Sequence, residues 1–130
     1  EAPIPVLHET EGWLAMGVTL DDGGLSAALD ELGRFAVRTA VQKTVNQMAE
    51  DLRTITPRRS GNLVGSLRQE VTDTEGTIGY TVEYAPHVEY GHRAGKSSYV
   101  EGQHFLSQEA KAGQVVLERR VGDELRRAGL

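Results

Sequence analysis

Apolar side chains recur at steps of three or four residues between Gly24 and Ile55, which is the spacing of an amphipathic helix. Asp21 and Asp22 precede this run and suit a helix N-terminus. Pro57 ends it, because the residue before a proline avoids the helical region. The pattern predicts one helix of about 45 Å. This helix packs on a sheet, or part of it projects to contact a neighbouring subunit.

A period of two replaces the helical spacing further along the chain, which is typical of a strand with one buried face. We expect a hairpin whose strands are residues 69–73 and 77–84, joined by a turn at residues 74–76. Glu83 falls on the opposite, solvated face of the second strand. The alternating apolar residues are Ile78, Tyr80, Val82 and Tyr84.

The remaining pattern predicts a short helical turn, a loop and a last helix. Pro86 is tolerated near the start of the turn at residues 84–91, and Gly91 can end it. Residues 92–102 are rich in Gly, Ser and Lys and are expected to form a mobile loop. An apolar stripe predicts a helix over residues 107–128, which Gly113 and Gly122 each weaken by about 1 kcal/mol relative to Ala. The predicted fold class is α+β, with long N-terminal and C-terminal helices packed on a small antiparallel sheet with a short helix.

The first fifteen residues are expected to be an N-terminal arm or extension of a single domain that spans residues 16–130. Two prolines within the first five residues exclude a helical start, and Met16 begins a stretch that would suit a domain start. The arm is unusually apolar for a free segment, so we expect it to dock on a partner. The candidate docking residues are Ile4, Val6, Leu7 and Trp13.

The amino-acid composition excludes several classes of protein. The chain has 130 residues, which suits one domain, and only 5% are aromatic, so the core must be mainly aliphatic. Fourteen basic against nineteen acidic side chains give a net charge of -5, which argues against a protein that neutralises phosphates over a broad surface. The chain has no cysteine, which excludes disulfides and thiolate chemistry. It shows no apolar run of about 18 residues and no signal-peptide pattern, so we expect a protein without a membrane partner.

The sequence contains few residues that are spaced to form a metal site or a catalytic site. His87, Glu89 and His92, with His104 downstream, suggest a zinc site, since zinc takes such ligands in threes or fours. His87 and His92 are five residues apart across Gly91, so they do not share a helical face as an i, i+4 pair does. Ordinary surface histidines are therefore favoured. No serine lies in a nucleophile-elbow pattern, and we expect no enzyme activity and no metal or cofactor.

Three short segments carry the most specific pattern. Residues 56–67 read TPRRSGNLVGSL, residues 84–93 read YAPHVEYGHR, and residues 102–110 read GQHFLSQEA. In this order and spacing they resemble a family of phage neck proteins named after the tenth gene product of a lambdoid coliphage. Its patterns are P-x-x-T-G-x-L-x-x-S, with Ser60 here in place of threonine, Y-A-x-x-V-E-x-G-T, and Q-P-F-L-x-P-A, with His104 and Gln108 here where prolines are common. The candidate motif and structural positions are Pro57, Ser60, Gly61, Leu63, Ser66, Tyr84, Ala85, Val88, Glu89, Gly91, Phe105, Leu106 and Ala110.

The resemblance, which covers roughly residues 16–130, implies a structural virion protein assembled in the host cytoplasm. Such a subunit forms a ring, expected to be a hexamer, that joins the head connector or stopper to the tail terminator or tube. The ring continues the channel through which genomic DNA passes. In this setting the loop residues Arg93 and Lys96 are candidates for contact with the channel or a partner.

Three other functions remain open at this point. A tail terminator or tube-capping protein is a related ring-forming subunit. A small metal-dependent hydrolase would use the zinc-type residues named above. A regulatory nucleic-acid binder would use the basic loops, but the acidic net charge disfavours it.

Overall fold

Two long antiparallel helices cover one face of an antiparallel sheet in the computed structural model, which describes residues 6–8, 14–57, 61–72, 75–94 and 98–129. The helices are α1 (Glu31–Ile55) and α4 (Phe105–Arg127), with the short helices α2 (Asn62–Gly65) and α3 (Ala85–Tyr90) between them. The sheet contains β1 (Val6–His8), β2 (Met16–Asp21), β3 (Leu67–Val71) and β4 (Glu75–Tyr80) in the order β1-β2-β4-β3. The predicted α+β class is confirmed.

Helix α1 begins later than its apolar pattern predicts. Residues 25–28 form a separate 3-10 turn, because Asp22 accepts hydrogen bonds from the backbone N–H groups of Gly24 and Ser26. Leu29 then takes an extended conformation, and Asp30 caps α1 by accepting from Gly33 N at 2.9 Å. The prediction of one helix from Gly24 is therefore wrong in its first turns. Its end is right, since the helix stops at Ile55, before Pro57.

The central strands β2 and β4 alternate in burial. Met16, Val18 and Leu20 of β2 are buried against the helices, and Met16 is paired with Tyr80 of β4 and Val18 with Ile78. On the opposite face the hydroxyls of Thr19 and Thr77 lie 3.1 Å apart. Strands β1 and β2 were not predicted from the sequence. Residues 6–8 of the expected arm pair antiparallel with β2.

The predicted hairpin is confirmed as β3 and β4, but both strands lie earlier in the chain than predicted. The second strand begins at Glu75, inside the predicted turn, and ends at Tyr80 and not at Tyr84. The chain turns at residues 82–84, where Ala85 N donates to Val82 O, and Tyr84 is exposed. The predicted short helix is confirmed as α3, with Pro86 in its first turn. Gly91 ends it with a φ of 91°, a conformation that favours glycine.

The expected loop over residues 92–102 is wrong for most of its length. Strands β5 (Gly91–Ala94) and β6 (Ser98–Glu101) form a two-stranded antiparallel hairpin, in which Gly91 is paired with Glu101 and Arg93 with Tyr99. Residues 95–97, including Lys96, lie outside the described residues. Arg93 lies in β5 and is exposed.

The core lies between α1, α4 and the inner face of the sheet. Gly113 of α4 contacts Met48 of α1, and a Cβ at this position would come within 2.6 Å of the Met48 sulfur. The glycine that weakens α4 in isolation therefore permits close packing of the two helices. The largest fully buried side chains include Tyr80, Met16, Leu20, Met48, Leu52, Ile78, Leu106 and Leu117.

Candidate functional site

The third motif segment begins α4, and that helix start has no capping side chain of its own. His104 occupies the cap position with a left-handed φ of 51° and makes no side-chain capping bond, and the first turn contains no acidic residue. The backbone N–H groups at a helix start need acceptors from elsewhere. Proline could not adopt this φ, so the turn before α4 differs from one made by the proline common in the family pattern.

Glu89 of α3 supplies the missing acceptor. Its side chain is 0% exposed, and Oε1 accepts from Leu106 N at 2.8 Å while Oε2 accepts from Ser107 N at 3.0 Å. The Ser107 hydroxyl also donates to Oε2. A carboxylate at this position satisfies the free N–H groups and interacts favourably with the positive end of the helix dipole. The motif glutamate is therefore a cap for a helix that begins sixteen residues further along the chain.

Backbone contacts hold the same two segments together. Gln103 N donates to Val88 O at 2.9 Å, and His104 N donates to Glu89 O at 3.1 Å. Gly102 contacts the backbone of Glu89 so closely that a Cβ there would overlap the carbonyl oxygen. A glycine is consequently required at this crossing.

Tyr80 connects these segments to the end of α1. Thr56 Oγ1 donates to Leu52 O and lies 2.6 Å from the Tyr80 hydroxyl, which therefore donates to it. The Tyr80 ring meets the Phe105 ring edge to face, with centroids 5.6 Å apart. Burial raises the pKa of Tyr80 to about 12, and the nearby carboxyl groups of Glu89 and Glu109 act in the same direction.

The first motif segment joins the same region. Gly61 has a φ of 80° and precedes α2, in which Leu63 is buried. Ser66 donates from its hydroxyl to Leu63 O at 2.8 Å and accepts from Thr81 N through its backbone carbonyl at 3.2 Å. Residues 56–57, 61–67, 80–91 and 102–110 thus meet around Tyr80 and Glu89, and we call this region the junction. Among the other motif positions, Ala85, Leu106 and Ala110 are buried, Pro57 and Val88 are half-buried, and Ser60 lies outside the described residues.

The carboxylate of the junction is not accessible to a ligand. Glu89 is fully buried, and both of its oxygens are occupied by the start of α4. His87 is exposed on α3, and the described residues contain no group of three or more His, Asp or Glu side chains placed to hold a metal ion. The carboxylate of the hypothetical zinc site is therefore directed into the protein and towards a helix.

A carboxyl pair between the long helices was not predicted. Glu109 of α4 is 9% exposed and hydrogen-bonded to the side chain of Asp51 of α1, which also accepts from Gln47 Nε2 at 2.9 Å. Burial raises the pKa of Glu109 to about 7, and the charge and hydrogen bond of Asp51 add to the rise. The two residues are 58 positions apart, so only the packing of α1 against α4 brings them together.

An open polar groove lies between the middle of α1 and the last turns of α4. Lys43 Nζ donates to Glu124 Oε1 at 2.7 Å, and Arg127 Nη1 reaches the same oxygen at 3.0 Å. The hydrogen bond from Lys43 lowers the pKa of Glu124. Three of the charged lining residues, Lys43, Glu124 and Arg127, pair with one another. The lining residues are Lys43, Asn46, Gln47, Glu50, Arg120, Asp123, Glu124 and Arg127.

Several large apolar side chains are exposed. Phe35 is 67% exposed and Leu32 is 50% exposed, three residues apart at the start of α1. Lys43 bonds to Glu124 near the end of α4, so the first two turns of α1 extend past the region that α4 covers. Of the candidate docking residues, Val6 and Leu7 lie in β1, whereas Ile4 and Trp13 lie outside the described residues.

Comparison of the chain with models of protein families, with curated proteins and with solved structures found no match. None of the helices in the described ranges is long and apolar enough to cross a membrane.

Proposed function

We propose that this chain is a structural subunit of the neck of a tailed bacteriophage, which forms a ring between head and tail. The observation that carries the proposal is the junction. Of the three segments that resemble the neck family, the second and third meet at the Glu89 cap. Thr56 of the first segment bonds to Tyr80, whose ring packs on Phe105 of the third. The polar groups of these motif residues bond to other parts of the same chain and fix its path. This arrangement suits a subunit whose role depends on its shape.

Burial of Glu89 also favours a structural role over a hydrolytic one. A general base or metal ligand must reach a substrate or an ion, whereas this carboxylate accepts three hydrogen bonds from the first turn of α4. In the polar groove between α1 and α4, Lys43 and Arg127 both bond to the Glu124 carboxylate.

The exposed apolar residues at the start of α1 support assembly into a ring. Leu32 and Phe35 lie on adjacent turns of a helix segment that extends past α4. Exposed apolar clusters commonly mark contacts between proteins, and repeated head-to-tail contacts form a ring when the rotation between subunits closes. In the proposed neck, which we expect to be a hexamer, this segment packs on the next subunit.

The proposed position is the head–tail interface of the virion. Its partners there are the head connector or stopper on one side and the tail terminator or tube on the other, with genomic DNA passing through. Arg93, exposed on β5, is the described basic residue that we assign to the channel or to a neighbouring ring. The net charge of -5 fits a channel through which DNA slides without being held.

Disruption of the gene in its phage or prophage tests the proposal. We expect electron micrographs of DNA-filled heads and separate tails, with joined particles restored when the wild-type chain is supplied. Tails of uncontrolled length would indicate the alternative role as tail terminator. Normal, infectious particles would refute both structural roles.

A narrower test addresses the first turns of α1. The double substitution Leu32→Ser and Phe35→Ser removes exposed apolar surface, so the isolated subunit should remain folded while particle joining falls. The double substitution Lys111→Ser and Glu118→Ser on the exposed side of α4 is the matched control. Full joining by the Leu32/Phe35 variant would contradict the assignment of this surface to the ring.

A further inference from the structure

One of the two edges of the sheet is formed by β3, which pairs with β4 on one side only among the described residues. Residues Leu67–Val71 keep one register with β4 from Leu67 opposite Tyr80 to Val71 opposite Gly76. The same register continues at both ends, because Thr81 N donates to Ser66 O at 3.2 Å and Thr72 N donates to Glu75 O at 2.8 Å. The strand is therefore regular and without a bulge over its whole length.

These end bonds establish which backbone groups point outward. In an antiparallel pair, alternate residues direct both their N–H and C=O groups towards the partner strand. Ser66 and Thr72 bond to the β4 side, so the even-numbered residues between them do the same. The N–H and C=O groups of Leu67, Gln69 and Val71 consequently point away from β4, and no other strand of the described chain pairs with them.

The sequence of this edge is complementary to itself. Reading Leu67-Arg68-Gln69-Glu70-Val71 against a second antiparallel copy centred on Gln69 places Arg68 opposite Glu70 twice. It also places Leu67 opposite Val71 twice, so the apolar ends match as well. Opposite charges directly across two strands stabilise the pair, and like charges destabilise it.

We propose that β3 pairs with β3 of a second copy of this chain, in the antiparallel register centred on Gln69. The outward N–H and C=O groups of residues 67, 69 and 71 then bond between copies, in the manner of strand addition at a sheet edge. Leu67 O already accepts from Arg68 Nη1 at 2.7 Å, and its second lone pair is available to the partner strand. The sheets of the two copies join into one of eight strands, since each contributes four.

The side-chain arrangement permits this pairing. Arg68 and Glu70 lie on the face opposite the helices and are exposed, so their charges can meet in solvent. Gln69 lies on the helix side, where its Nε2 donates to Asn46 Oδ1 of α1 at 2.7 Å. The two-fold axis would therefore pass between uncharged amides. A two-fold contact closes at two copies, so it is separate from the ring contact proposed for α1 and does not depend on the neck function.

Charge exchange tests the pairing in the full chain by sedimentation equilibrium from micromolar to millimolar concentration. Arg68→Glu and Glu70→Arg each place like charges across both contacts and should raise the dimer Kd about tenfold, or about 1.4 kcal/mol. The double variant that exchanges the two residues should dimerise again, and an equimolar mixture of the single variants should form a heterodimer. The control pair, Lys111→Glu and Glu118→Arg on exposed α4 positions, should leave dimerisation unchanged.

A disulfide test is independent of charge and of the Arg68 hydrogen bonds. The chain has no cysteine, and directly opposed residues that do not bond to each other lie about 4.5 Å apart at Cα, within disulfide range. A mixture of Arg68→Cys and Glu70→Cys should give the mixed disulfide on oxidation at a yield well above that of Lys111→Cys with Glu118→Cys. A wild-type chain that stays monomeric at millimolar concentration, or equal yields from the two cysteine mixtures, would overturn the proposal.

Discussion

Replacement of Glu109 by glutamine should change how stability depends on pH. The carboxyl group is buried between α1 and α4 beside Asp51, and its pKa rises from an ordinary value of 4.5 to about 7. The folded state therefore binds a proton more tightly than the unfolded state does. The stabilising effect of that proton is fully present below pH 4.5 and is lost as pH rises through 7.

The size of the effect follows from the same values. A rise from 4.5 to about 7 corresponds to roughly 3 kcal/mol of unfolding free energy lost across this window. Glutamine is uncharged at every pH and can still donate a hydrogen bond to Asp51. The variant should therefore match the wild type near pH 5 and exceed it by up to about 3 kcal/mol at pH 8, a difference of about 10 °C in melting temperature.

Urea denaturation at pH 5, 6, 7 and 8 measures this directly for both proteins. Glu118→Gln on the exposed side of α4 removes a carboxylate without touching Asp51, and it should not produce the same divergence. If the difference between wild type and Glu109→Gln stays constant from pH 5 to pH 8, the raised pKa and the reasoning from it are wrong.

Four further outcomes are expected. Glu89→Ala leaves the first N–H groups of α4 without acceptors and should cost about 3 kcal/mol of unfolding free energy in urea, with Glu89→Gln losing less. Tyr80→Phe removes the hydrogen bond to Thr56 but keeps the ring, so the same titration should show a loss of about 1 kcal/mol. Gly102→Ala forces a Cβ against the Glu89 carbonyl and should lower the melting temperature, with a loss of about 1–3 kcal/mol. Treatment with a chelator should leave the melting temperature unchanged, and a drop restored by zinc would contradict the expectation that no metal is needed.

Local patterns account for the elements that sequence reasoning placed correctly. The body of α1 follows from apolar residues at helical spacing and from Pro57, and α3 follows from Pro86 and Gly91. The start of α1 was misplaced because Asp21 and Asp22 form local turns, whereas Asp30, inside the apolar run, is the true cap. Asp22 and Asp30 are both compatible with a helix start in the sequence. Only the extended backbone at Leu29, which separates the 3-10 turn from α1, shows that Asp30 is the cap of the long helix.

The missed strands carried a weaker signal. Met16, Val18 and Leu20 alternate with Gly17 and Thr19, which is the spacing of a half-buried strand. Six residues of that spacing are too few to distinguish a strand from an extended segment, and its partner β4 lies about sixty residues further along the chain. The β5–β6 hairpin was missed because of its composition. The Gly, Ser and Lys content of residues 92–102 resembles that of a loop, whereas the two strands pair through their backbones.

The Glu89 cap was not predicted from the sequence, but the sequence of the helix that it caps contains a hint of it. From the sequence, Glu89 is a carboxylate on a compact turn, and nothing near it in the chain indicates its partner. The start of α4 at Phe105 indicates that an acceptor is missing, because neither His104 nor the first turn of the helix supplies an acidic cap. Free N–H groups at a buried helix start must find acceptors, so an uncapped, apolar start such as Phe105-Leu106-Ser107 predicts a distant acceptor. The sequence therefore indicates that α4 needs an acceptor from elsewhere in the chain. Which carboxylate supplies it depends on how α3 packs against α4, because Glu83 is exposed and Glu89 faces inward.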